Sequence, residues 1–526
     1  MRNVQKLVKK YIPSLWLLAG FLWDIGYHLI RGRIMLDSDI SAEMILANQL
    51  NIEHSLTGLS KNWIYTTGIR FLEMSWLFRP GLVLFPNNWH MARTISTAIA
   101  IAIMAFGAWL VFYAIGRKDW GVWAAALTVF PGGGWYFWQT LYGAQILPYI
   151  CLSFYCLALI LLSSRGLQHC RNRIYIVLLL LLSVAAGING LKQLLAFYMP
   201  VVLTSVVIYI IRIHKAGTIV RGKTLNFIVL SLFSSIAAAF GLLLNSKVLS
   251  KIYQFKQFNE TEIGYDSFLG FVRDFIWCYG YADDRPLMSF SGIASMCGVV
   301  LGLIVMLSGI RLMVRINDLT DEEQILALFS FVCIMSNCFL FSYLSGRAAI
   351  EYFEPIIPFG YFLLVMELQT ERFTIEKSRF ILMNLALATM LFISAGTIYN
   401  ESRNPFHDYR AKQTLGPVVD MLVDKGYKQG VSMFWTSDIV TELSNGKIEM
   451  WTLSTDSPDE YDEWAQKKDH INTDPSGRYF YLFDNTIQDD YTEKRTNIGL
   501  AYVEAHPNPE PLVPIYYDEN FIVYGN

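Results

Sequence analysis

Acidic side chains are concentrated in a short segment that follows the first long apolar run of the sequence. Asp37 and Asp39 lie two residues apart, and Glu43 follows Asp39 by four residues, so the last two share a face if the segment is helical. A carboxylate here could act as a general base that takes a proton from an attacking hydroxyl. The structural alternative is that Asp39 caps the helix that begins here, a common function of aspartate, and that Asp37 lies in a solvated loop.

Basic side chains interrupt or border long apolar runs at three other places. Lys192 lies inside the run GINGLKQLLAFYMP, where an unpaired ammonium group in a membrane would cost about 2.5 to 3.5 kcal/mol. Arg93 lies near the start of a second run, and Arg347 lies four residues before Glu351 at the start of a third. Such cations can hold a phosphate group. The structural alternative is an ion pair between Arg347 and Glu351 that joins two helices.

The apolar runs are long enough to cross a lipid bilayer. Of all residues, 54% are hydrophobic and only 16% are charged. A hydrocarbon core of about 30 Å requires roughly 20 apolar residues in a helix. We therefore predict an α-helical polytopic membrane protein with about eleven transmembrane helices. The predicted spans lie near residues 13–30, 91–116, 119–139, 142–163, 174–188, 190–212, 224–247, 291–313, 325–344, 349–367 and 380–397. The run 174–188 could also merge with 190–212 into one longer stretch.

The distribution of positive charge indicates the orientation of the chain, because Lys and Arg accumulate in short cytoplasmic loops. Basic residues occur before the first run and in alternate loops after it, at Arg2, Lys6, Lys9, Lys10, Arg117, Lys118, Arg165, Arg171, Arg173, Arg212, Lys215, Arg221 and Lys223. Two later loops predicted on the same side, 314–324 and 368–379, mix acids with bases. We predict a multi-pass cell-membrane protein with a cytoplasmic N-terminus and with the long loops 31–90 and 248–290 outside.

The end of the chain differs in composition from the rest. Residues 399–526 hold 22 acidic and 11 basic residues, which predicts an extracytoplasmic domain following a membrane domain of residues 1–398. The periodicity predicts an α/β fold. Its expected elements are helices over 408–426 and 436–444, the latter capped by Thr436 or Ser437, and strands over 430–435, 447–453, 478–484 and 521–524. We expect its tryptophans in the core, at Trp435, Trp451 and Trp464.

The first long loop contains a helical pattern of apolar residues. Ile40, Met44, Ala47 and Leu50 recur at helical spacing. This predicts an amphipathic helix that begins at Asp39 and lies along the membrane surface. Loops of this length are uncommon unless they have a function.

Several classes of site are disfavoured by the motifs that the sequence lacks. Only Cys278 of the seven cysteines falls in a predicted outer loop, so no disulfide framework is expected. The sequence has no zinc spacing of His and Cys, no Walker loop and no dinucleotide fingerprint, and its charge does not suggest nucleic-acid binding. Asp37 and Asp39 leave a divalent cation open as a cofactor, because Mg²⁺ and Mn²⁺ prefer oxygen ligands.

Three segments resemble the multispan GT-C type glycosyltransferases, which include protein O-mannosyltransferases and lipid A aminoarabinose transferases. The segments are LDSDISAEMILANQL (36–50), GLKQLLAFYMP (190–200) and GRAAIEYFEPIIP (346–358). Members of this family carry an acidic motif in the first outer loop and a lysine in a later outer turn. They also carry a tyrosine-rich segment with an arginine before a late span. The resemblance covers the predicted membrane domain.

The resemblance implies an inverting transfer of a sugar from a polyprenyl-phosphate donor to an acceptor outside the cytoplasm. An aspartate of the first outer loop would act as general base. By position this role falls to Asp39 or, failing that, to Asp37, although Ile40 stands where many members have a second acidic residue. We expect the donor phosphate to be bound by Lys192, Arg347 and Arg93. We expect acceptor-binding or supporting roles for Glu43, Glu73, Glu351 and Tyr352.

The expected partners are a polyprenyl-phosphate-linked sugar donor, a glycan, lipid or protein acceptor, and membrane lipids. One alternative is a polysaccharide polymerase or ligase that uses lipid-linked glycans. Another is a transporter or flippase of lipid-linked glycans, with Lys192, Arg347 and Glu351 lining its path. Transporters often contain inverted repeats, and the sequence shows no internal repeat. The charges also gather at one predicted face, which favours chemistry at that face.

Overall fold

The computed structural model describes residues 2–66, 68–130, 132, 146–166, 170–216, 222–255, 268–282, 285–340, 356–370, 376–403, 407–454, 460–484 and 513–525. The described chain is mostly helical, and its C-terminal part also contains strands. Long helices form where the sequence is apolar over several turns and has few helix-breaking residues.

The helices before residue 404 have the following bounds. The longer ones are Arg2–Arg31, Ser38–Ile52, Ser75–Leu84, Trp89–Ala114, Lys118–Val129, Leu152–Ser164, Cys170–Ile188, Met199–Ala216, Lys223–Lys247, Phe268–Trp277, Phe290–Val314, Asp321–Phe339, Ile357–Gln369 and Glu376–Arg403. Short helical turns run over Leu191–Gln193, Leu249–Lys251 and Ile316–Asp318. Two π-helical segments, Ile146–Cys151 and Leu194–Tyr198, lead directly into longer helices.

A described helix lies at each of the eleven predicted spans. Among the described residues, seven helical segments are long and apolar enough to cross a membrane, namely Trp89–Ala114, Ile146–Ser164, Leu191–His214, Lys223–Lys251, Phe290–Val314, Asp321–Phe339 and Ser378–Asn400. These segments make the chain a multi-pass membrane protein. The total of eleven is not confirmed, because the remaining helices are shorter or less apolar over their described lengths. The runs 174–188 and 190–212 are separate helices, because Gly190 between them has a φ of +104°, which L residues rarely adopt.

Three ion pairs join loops that the charge pattern places on the same side of the membrane. In each pair, a basic residue from a different predicted inner loop binds an acidic residue at the start of the helix Asp321–Phe339. The pairs are Arg117 with Glu323 at 2.6 Å, Arg212 with Asp321 at 2.5 Å and Lys223 with Glu322 at 2.5 Å. The acids of the mixed loop 314–324 therefore neutralise the basic loops beside them. This contact confirms that these loops share one side.

A small three-stranded sheet joins the three long segments predicted on the opposite side. Strand β1 (Trp63–Tyr65) comes from the first long loop, β2 (Gln254–Phe255) from the loop after Lys223–Lys247, and β5 (Gln466–Lys467) from the C-terminal part. β1 lies in the middle, parallel to β2 and antiparallel to β5. The hydrogen bonds of this sheet show that all three segments lie on one side of the helical bundle.

The C-terminal part forms a mixed five-stranded sheet in the order β4-β3-β6-β8-β7. Its strands are β3 (Gln429–Met433), β4 (Glu449–Leu453), β6 (Tyr479–Asp484), β7 (Val513–Tyr517) and β8 (Phe521–Gly525), and its helices are His407–Asp424 and Phe434–Leu443. β3, β4 and β6 are parallel, whereas β8 runs antiparallel to both β6 and β7. Each of the six predicted elements occurs within two residues of its predicted bounds.

Two details of this part differ from the prediction. Neither Thr436 nor Ser437 caps the helix, which begins earlier, at Phe434, and the Ser437 hydroxyl lies 2.8 Å from that of Thr452 in β4. Trp451 is buried as expected, but the side chain of Trp435 is 39% exposed. A tryptophan at the first turn of this helix therefore lies at the protein surface and not in the core.

The helix Ser38–Ile52 packs against both the helical bundle and the C-terminal part. We call it the first-loop helix. Ile40 belongs to the core of the C-terminal part, together with Leu415 and Leu443. Met44 and Leu50 belong instead to the core of the helical bundle. The prediction of an amphipathic helix on the membrane surface is therefore wrong, because apolar partners cover this helix on more than one face.

Candidate active site

The first-loop helix begins at the acidic segment Asp37-Ser38-Asp39. Asp37 is its N-cap, and the Asp37 Oδ1 atom accepts a hydrogen bond of 2.9 Å from the backbone N–H of Asp39. Asp39 lies in the first helical turn, where the helix dipole favours negative charge, and it is exposed. The capping role therefore belongs to Asp37, and the carboxylate of Asp39 faces solvent.

A helix of the C-terminal part, Phe434–Leu443, packs along the start of the first-loop helix. We call it the domain helix. The hydroxyl of Ser38 donates a hydrogen bond to the carbonyl oxygen of Phe434. At the other end of the domain helix, Glu442 binds Arg93, which also donates to the carbonyl oxygen of Ile40 at 3.1 Å. These contacts fix the position of Asp39, because they hold the residues on either side of it.

Arg93 is fully buried and forms a bidentate ion pair with the domain helix. Its Nε and Nη2 atoms each lie 2.6 Å from an oxygen of Glu442. The guanidinium carbon also lies 4.8 Å from the centre of the Phe78 ring. Arg93 therefore ties the helix Trp89–Ala114 to the C-terminal part. Its role as a ligand of the donor phosphate stays a prediction.

Asp438 lies on the domain helix beside the acidic segment. Its side chain is 4% exposed, and among the described residues its Oδ2 atom has no hydrogen-bond partner. Burial raises the pKa of Asp438 well above its usual range, and the nearby carboxylates of Asp39, Glu442 and Asp37 raise it further. The C-terminal part therefore adds a carboxyl group to the site, and this carboxyl favours its neutral form.

Arg70 lies in the loop before the helix Ser75–Leu84, near several of the charged groups. Its Nε atom is 3.8 Å from Glu73 Oε1. Burial by itself lowers the pKa of Arg70, but Tyr149, Glu73, Glu43 and Asp39 together raise it above its ordinary value. Glu73 therefore forms an ion pair with Arg70, and Glu43 and Asp39 lie within electrostatic range of the same guanidinium.

Glu43 and Glu73 are buried acids that influence each other. Burial raises the pKa of Glu73 to about 7, although Arg70 opposes the shift. The pKa of Glu43 is raised well above its usual range by burial and then by the Glu73 carboxylate, with Asp39 adding to the shift. At neutral pH these two carboxyls therefore carry protons more readily than ordinary glutamates do. Asp39 is the exposed acid of the three.

Lys192 reaches this group of residues through Tyr149. The Nζ atom of Lys192 lies 4.4 Å from the centre of the Tyr149 ring, in cation–π geometry. Tyr149 in turn interacts with Arg70. Both residues are placed by irregular helical geometry. Tyr149 lies within the π-helical segment Ile146–Cys151, and Lys192 lies in the short turn Leu191–Gln193 that leads into the π-helical segment Leu194–Tyr198. Such segments are frequent at functional sites.

Two asparagines hold the Arg70 loop against the helical bundle. The Oδ1 atom of Asn189 accepts a hydrogen bond of 2.8 Å from the backbone N–H of Phe71. The Nδ2 atom of Asn245 donates to the carbonyl oxygen of Ile69 at 3.0 Å. These bonds fix the backbone on both sides of Arg70. The loop that carries Arg70 is therefore attached to the helix Lys223–Lys247 and, through Asn189, to the turn just before Lys192.

Some of the predicted site residues lie outside the described residues. These are Arg347, Glu351 and Tyr352. A metal ion was left open at Asp37 and Asp39. Over the described part of the chain, no three His, Cys, Asp or Glu side chains are placed to hold a metal ion together. A divalent cation held by Asp37 and Asp39 alone therefore stays a prediction.

Comparisons with known proteins give a fold but no sequence relative. No protein-family model and no curated protein matches the sequence. The crystal structure of ArnT from Cupriavidus metallidurans bound to undecaprenyl phosphate aligns with a TM-score of 0.53, over 96% of this chain and 97% of that one, at 11% identity. ArnT in the apo state aligns with a TM-score of 0.50, over 93% of each chain, also at 11% identity. The chain has the GT-C fold.

A further structure aligns with a lower score. It is the oligosaccharyltransferase of Archaeoglobus fulgidus tethered with an acceptor peptide, at a TM-score of 0.49 and 10% identity, over 95% of this chain and 72% of that one. The GT-C fold of this chain was predicted from three short segments. The alignment to ArnT extends beyond them, because it covers the C-terminal part as well as the membrane helices.

Four residues of the candidate site were missed by the sequence prediction. Arg70 stands three residues before Glu73, and this spacing is the signal that could have drawn attention to it. Tyr149 lies within an apolar run and carries no signal of its own. Asp438 and Glu442 lie four residues apart on a predicted helix, which puts both acids on one face. Nothing in the sequence shows that this face meets Asp39.

Proposed function

We propose that the protein is a membrane glycosyltransferase that transfers a sugar from a polyprenyl-phosphate donor to an acceptor at the outer face of the membrane. The observation that supports this proposal most is the grouping of Asp39, Arg70 and Lys192, the last joined to Arg70 through Tyr149. A base and two cations at one place suit a reaction that removes a proton and releases a phosphate. The fold of ArnT, crystallised with undecaprenyl phosphate, agrees with a lipid-linked donor.

In the proposed reaction, Asp39 is the general base. Its carboxylate removes the proton of the acceptor hydroxyl as the oxygen attacks the anomeric carbon of the donor sugar. The bond from that carbon to the phosphate oxygen breaks, and polyprenyl phosphate leaves with the electron pair. A single displacement of this kind inverts the anomeric configuration. Lys192 and Arg70 hold the negative charge that grows on the leaving phosphate.

Accessibility distinguishes Asp39 from the other acids as the proposed base. Glu73 has a pKa of about 7, which would suit a base, but it is 8% exposed and is turned towards Arg70. Glu43 is similarly buried. Asp37 is engaged at the N-terminus of the first-loop helix. We therefore assign supporting roles to these three residues and keep Asp37 as the second candidate for the base.

The proposed outer location rests on charge and on the two sets of contacts between loops. The basic loops joined by ion pairs lie on one side, and the three segments joined by the small sheet lie on the other. Lys and Arg favour the cytoplasmic side, so the side with the small sheet and the candidate site would be the outer one.

The proposal is tested by transfer from defined donors. Purified full-length protein in lipid nanodiscs is incubated with synthetic decaprenyl-phosphate hexoses and pentoses, and release of decaprenyl phosphate is followed by chromatography. We expect Asp39→Asn to reduce turnover by about 100-fold or more, since a positioned base contributes roughly 10² to 10⁴. We expect Asp37→Asn, which can still accept a hydrogen bond at the cap, to retain most of the activity.

One outcome of this experiment would contradict the proposal, as would one outcome of a transport assay in liposomes. If neither variant changed the turnover of an active wild-type protein, the general-base assignment would be wrong. If labelled lipid-linked sugar crossed liposomes that contain the protein without cleavage of the sugar–phosphate bond, the protein would be a flippase.

A further inference from the structure

The interface between the first-loop helix and the domain helix contains a carboxyl group, that of Asp438, that the proposed reaction does not use. Phe434, Asp438 and Glu442 are spaced by four residues and therefore lie on one face of the domain helix. Phe434 contacts Ser38, and Glu442 is joined through Arg93 to the Ile40 carbonyl. Asp438 lies between these two contacts, alongside Asp39.

The buried Oδ2 atom of Asp438 is available to bind a ligand. It is 4% exposed, and among the described residues its Oδ2 atom accepts and donates no hydrogen bond. A buried polar atom without a partner costs about 1 to 3 kcal/mol, so it is uncommon unless a bound molecule supplies the partner. The charged groups that face it are Asp37, Asp39 and Glu442, and Arg93 is already bound to Glu442.

The surroundings of Asp438 suit a sugar. A neutral carboxyl offers one O–H donor and a carbonyl acceptor, which is the pairing that a hydroxyl group can satisfy. Trp435, one helical turn before Asp438, is 39% exposed and offers an aromatic face of the kind on which sugar rings stack. A lone alcohol would present one oxygen, to Asp39, and would leave Asp438 unsatisfied.

We propose that Asp438 binds a second hydroxyl of a glycan acceptor, next to the hydroxyl that Asp39 deprotonates, and thereby makes the enzyme select polyhydroxylated acceptors. This inference rests on the proposed function, in which Asp39 contacts the acceptor. It adds a binding residue from the C-terminal part to a site otherwise built from the membrane part and its first loop.

The experiment compares acceptors that differ by one hydroxyl. Transfer from the most active decaprenyl-phosphate sugar is measured to a methyl hexopyranoside, to each of its monodeoxy analogues and to a simple alcohol. Wild type should lose about 10- to 100-fold in kcat/KM on one deoxy analogue, the value of a buried hydrogen bond. Asp438→Leu should lower kcat/KM on the glycoside by a similar factor and abolish the difference between glycoside and deoxy analogue. Its kcat/KM on the alcohol should fall by a clearly smaller factor than on the glycoside.

Two further variants separate binding from folding. Asp438→Asn keeps a donor and an acceptor, so it should retain a large part of the discrimination. Ser437→Ala removes a buried hydroxyl of the same helix that faces Thr452, and it should discriminate as wild type does. The proposal is overturned if Asp438→Leu keeps the full penalty on every deoxy analogue. It is equally overturned if Asp438→Leu loses as much activity on the alcohol as on the glycoside.

Binding of the glycoside without donor separates this inference from the proposed function. Saturation-transfer NMR with the methyl hexopyranoside should show contact with wild type and a loss of contact in Asp438→Leu. If no donor is cleaved but this difference in binding is observed, the transferase proposal fails while glycan binding at Asp438 stands. If transfer occurs but wild type and Asp438→Leu bind the glycoside equally, only the inference about Asp438 fails.

Discussion

Small differences in local contacts give the neighbouring acids of the site different roles. Asp37 and Asp39 are separated by one residue, yet the first accepts a backbone N–H and the second faces solvent. The capping alternative drawn from the sequence named Asp39, and it was wrong, because Asp37 is the N-cap. The cap is decided by where the helix begins, at Ser38, and a shift of one residue at a helix end is beyond what periodicity can predict.

Lys192 should control binding of the donor and not the stability of the protein. We expect Lys192→Gln to raise the KM for decaprenyl-phosphate sugar by about 10- to 100-fold, because a charged contact with phosphate contributes roughly 1.5 to 3 kcal/mol. Lys192→Arg should retain part of the affinity. Lys251→Gln, at an exposed lysine in the turn after Lys223–Lys247, is the matched control and should behave as wild type. Equal donor KM values in all three variants would remove Lys192 from the donor site.

Glu73 should make the stability of the protein depend on pH. Its pKa is raised in the folded protein to about 7, so the folded state binds this proton more tightly than the unfolded state does. The stabilisation is fully present below the unfolded pKa of about 4.3 and is lost as pH rises through 7, by up to about 3 kcal/mol. Glu73→Gln should therefore unfold at a higher temperature than wild type at pH 8, with the gap closing at pH 5. Parallel melting curves across this range would contradict the assignment.

At the scale of elements, the domain helix and the first-loop helix act as one unit. The predicted bounds of the domain helix were nearly right, because its apolar residues recur at helical spacing between two strand patterns. The prediction that the first-loop helix lies on the membrane surface was wrong. The residues that bury Ile40 include Leu415 and Leu443, far away in the sequence, and no local pattern reports such contacts.

The short strands that join the two long loops and the C-terminal part could not be predicted from the sequence either. β1, β2 and β5 are two or three residues long, too short to show an alternating pattern. Their pairing depends on loops that the fold brings together. By contrast, β3, β4, β6 and β8 are five or six residues long and show the expected burial, with β8 alternating between buried and half-buried positions.

The ion pair between Arg93 and Glu442 should contribute much of the stability of the contact between the C-terminal part and the helical bundle. Glu442→Gln leaves the buried guanidinium without its carboxylate and should destabilise the protein by about 3 to 5 kcal/mol in thermal unfolding. The double variant Arg93→Met, Glu442→Leu should recover most of this loss. Asp321→Asn breaks an exposed pair with Arg212 and should cost less than about 1 kcal/mol.

The same double variant tests Arg93 as a donor ligand. If it is stable and binds donor with the wild-type KM, Arg93 is structural. If it is stable and its donor KM rises as far as that of Lys192→Gln, Arg93 also contacts the phosphate.

At the scale of the whole molecule, two sets of contacts define two faces. Ion pairs join the loops at one face. At the other face, the small sheet joins two long loops to the C-terminal part. Alternating charge predicted this division from the sequence, because the membrane restricts each loop to one of two sides. Charge could not predict which loops touch, and the arrangement of Arg70, Tyr149 and Lys192 depends on those contacts.

The central claim is that Asp39, Arg70 and Lys192 form one site for a lipid-linked sugar phosphate. Its most direct test is an electron cryomicroscopy structure of the full-length protein in nanodiscs with undecaprenyl phosphate. We predict phosphate density in ion-pair contact with Lys192 and Arg70, in a cavity onto which Asp39 opens, and no such density in Lys192→Gln. Phosphate bound elsewhere, or bound here but separated from Asp39 by packed protein, would contradict it.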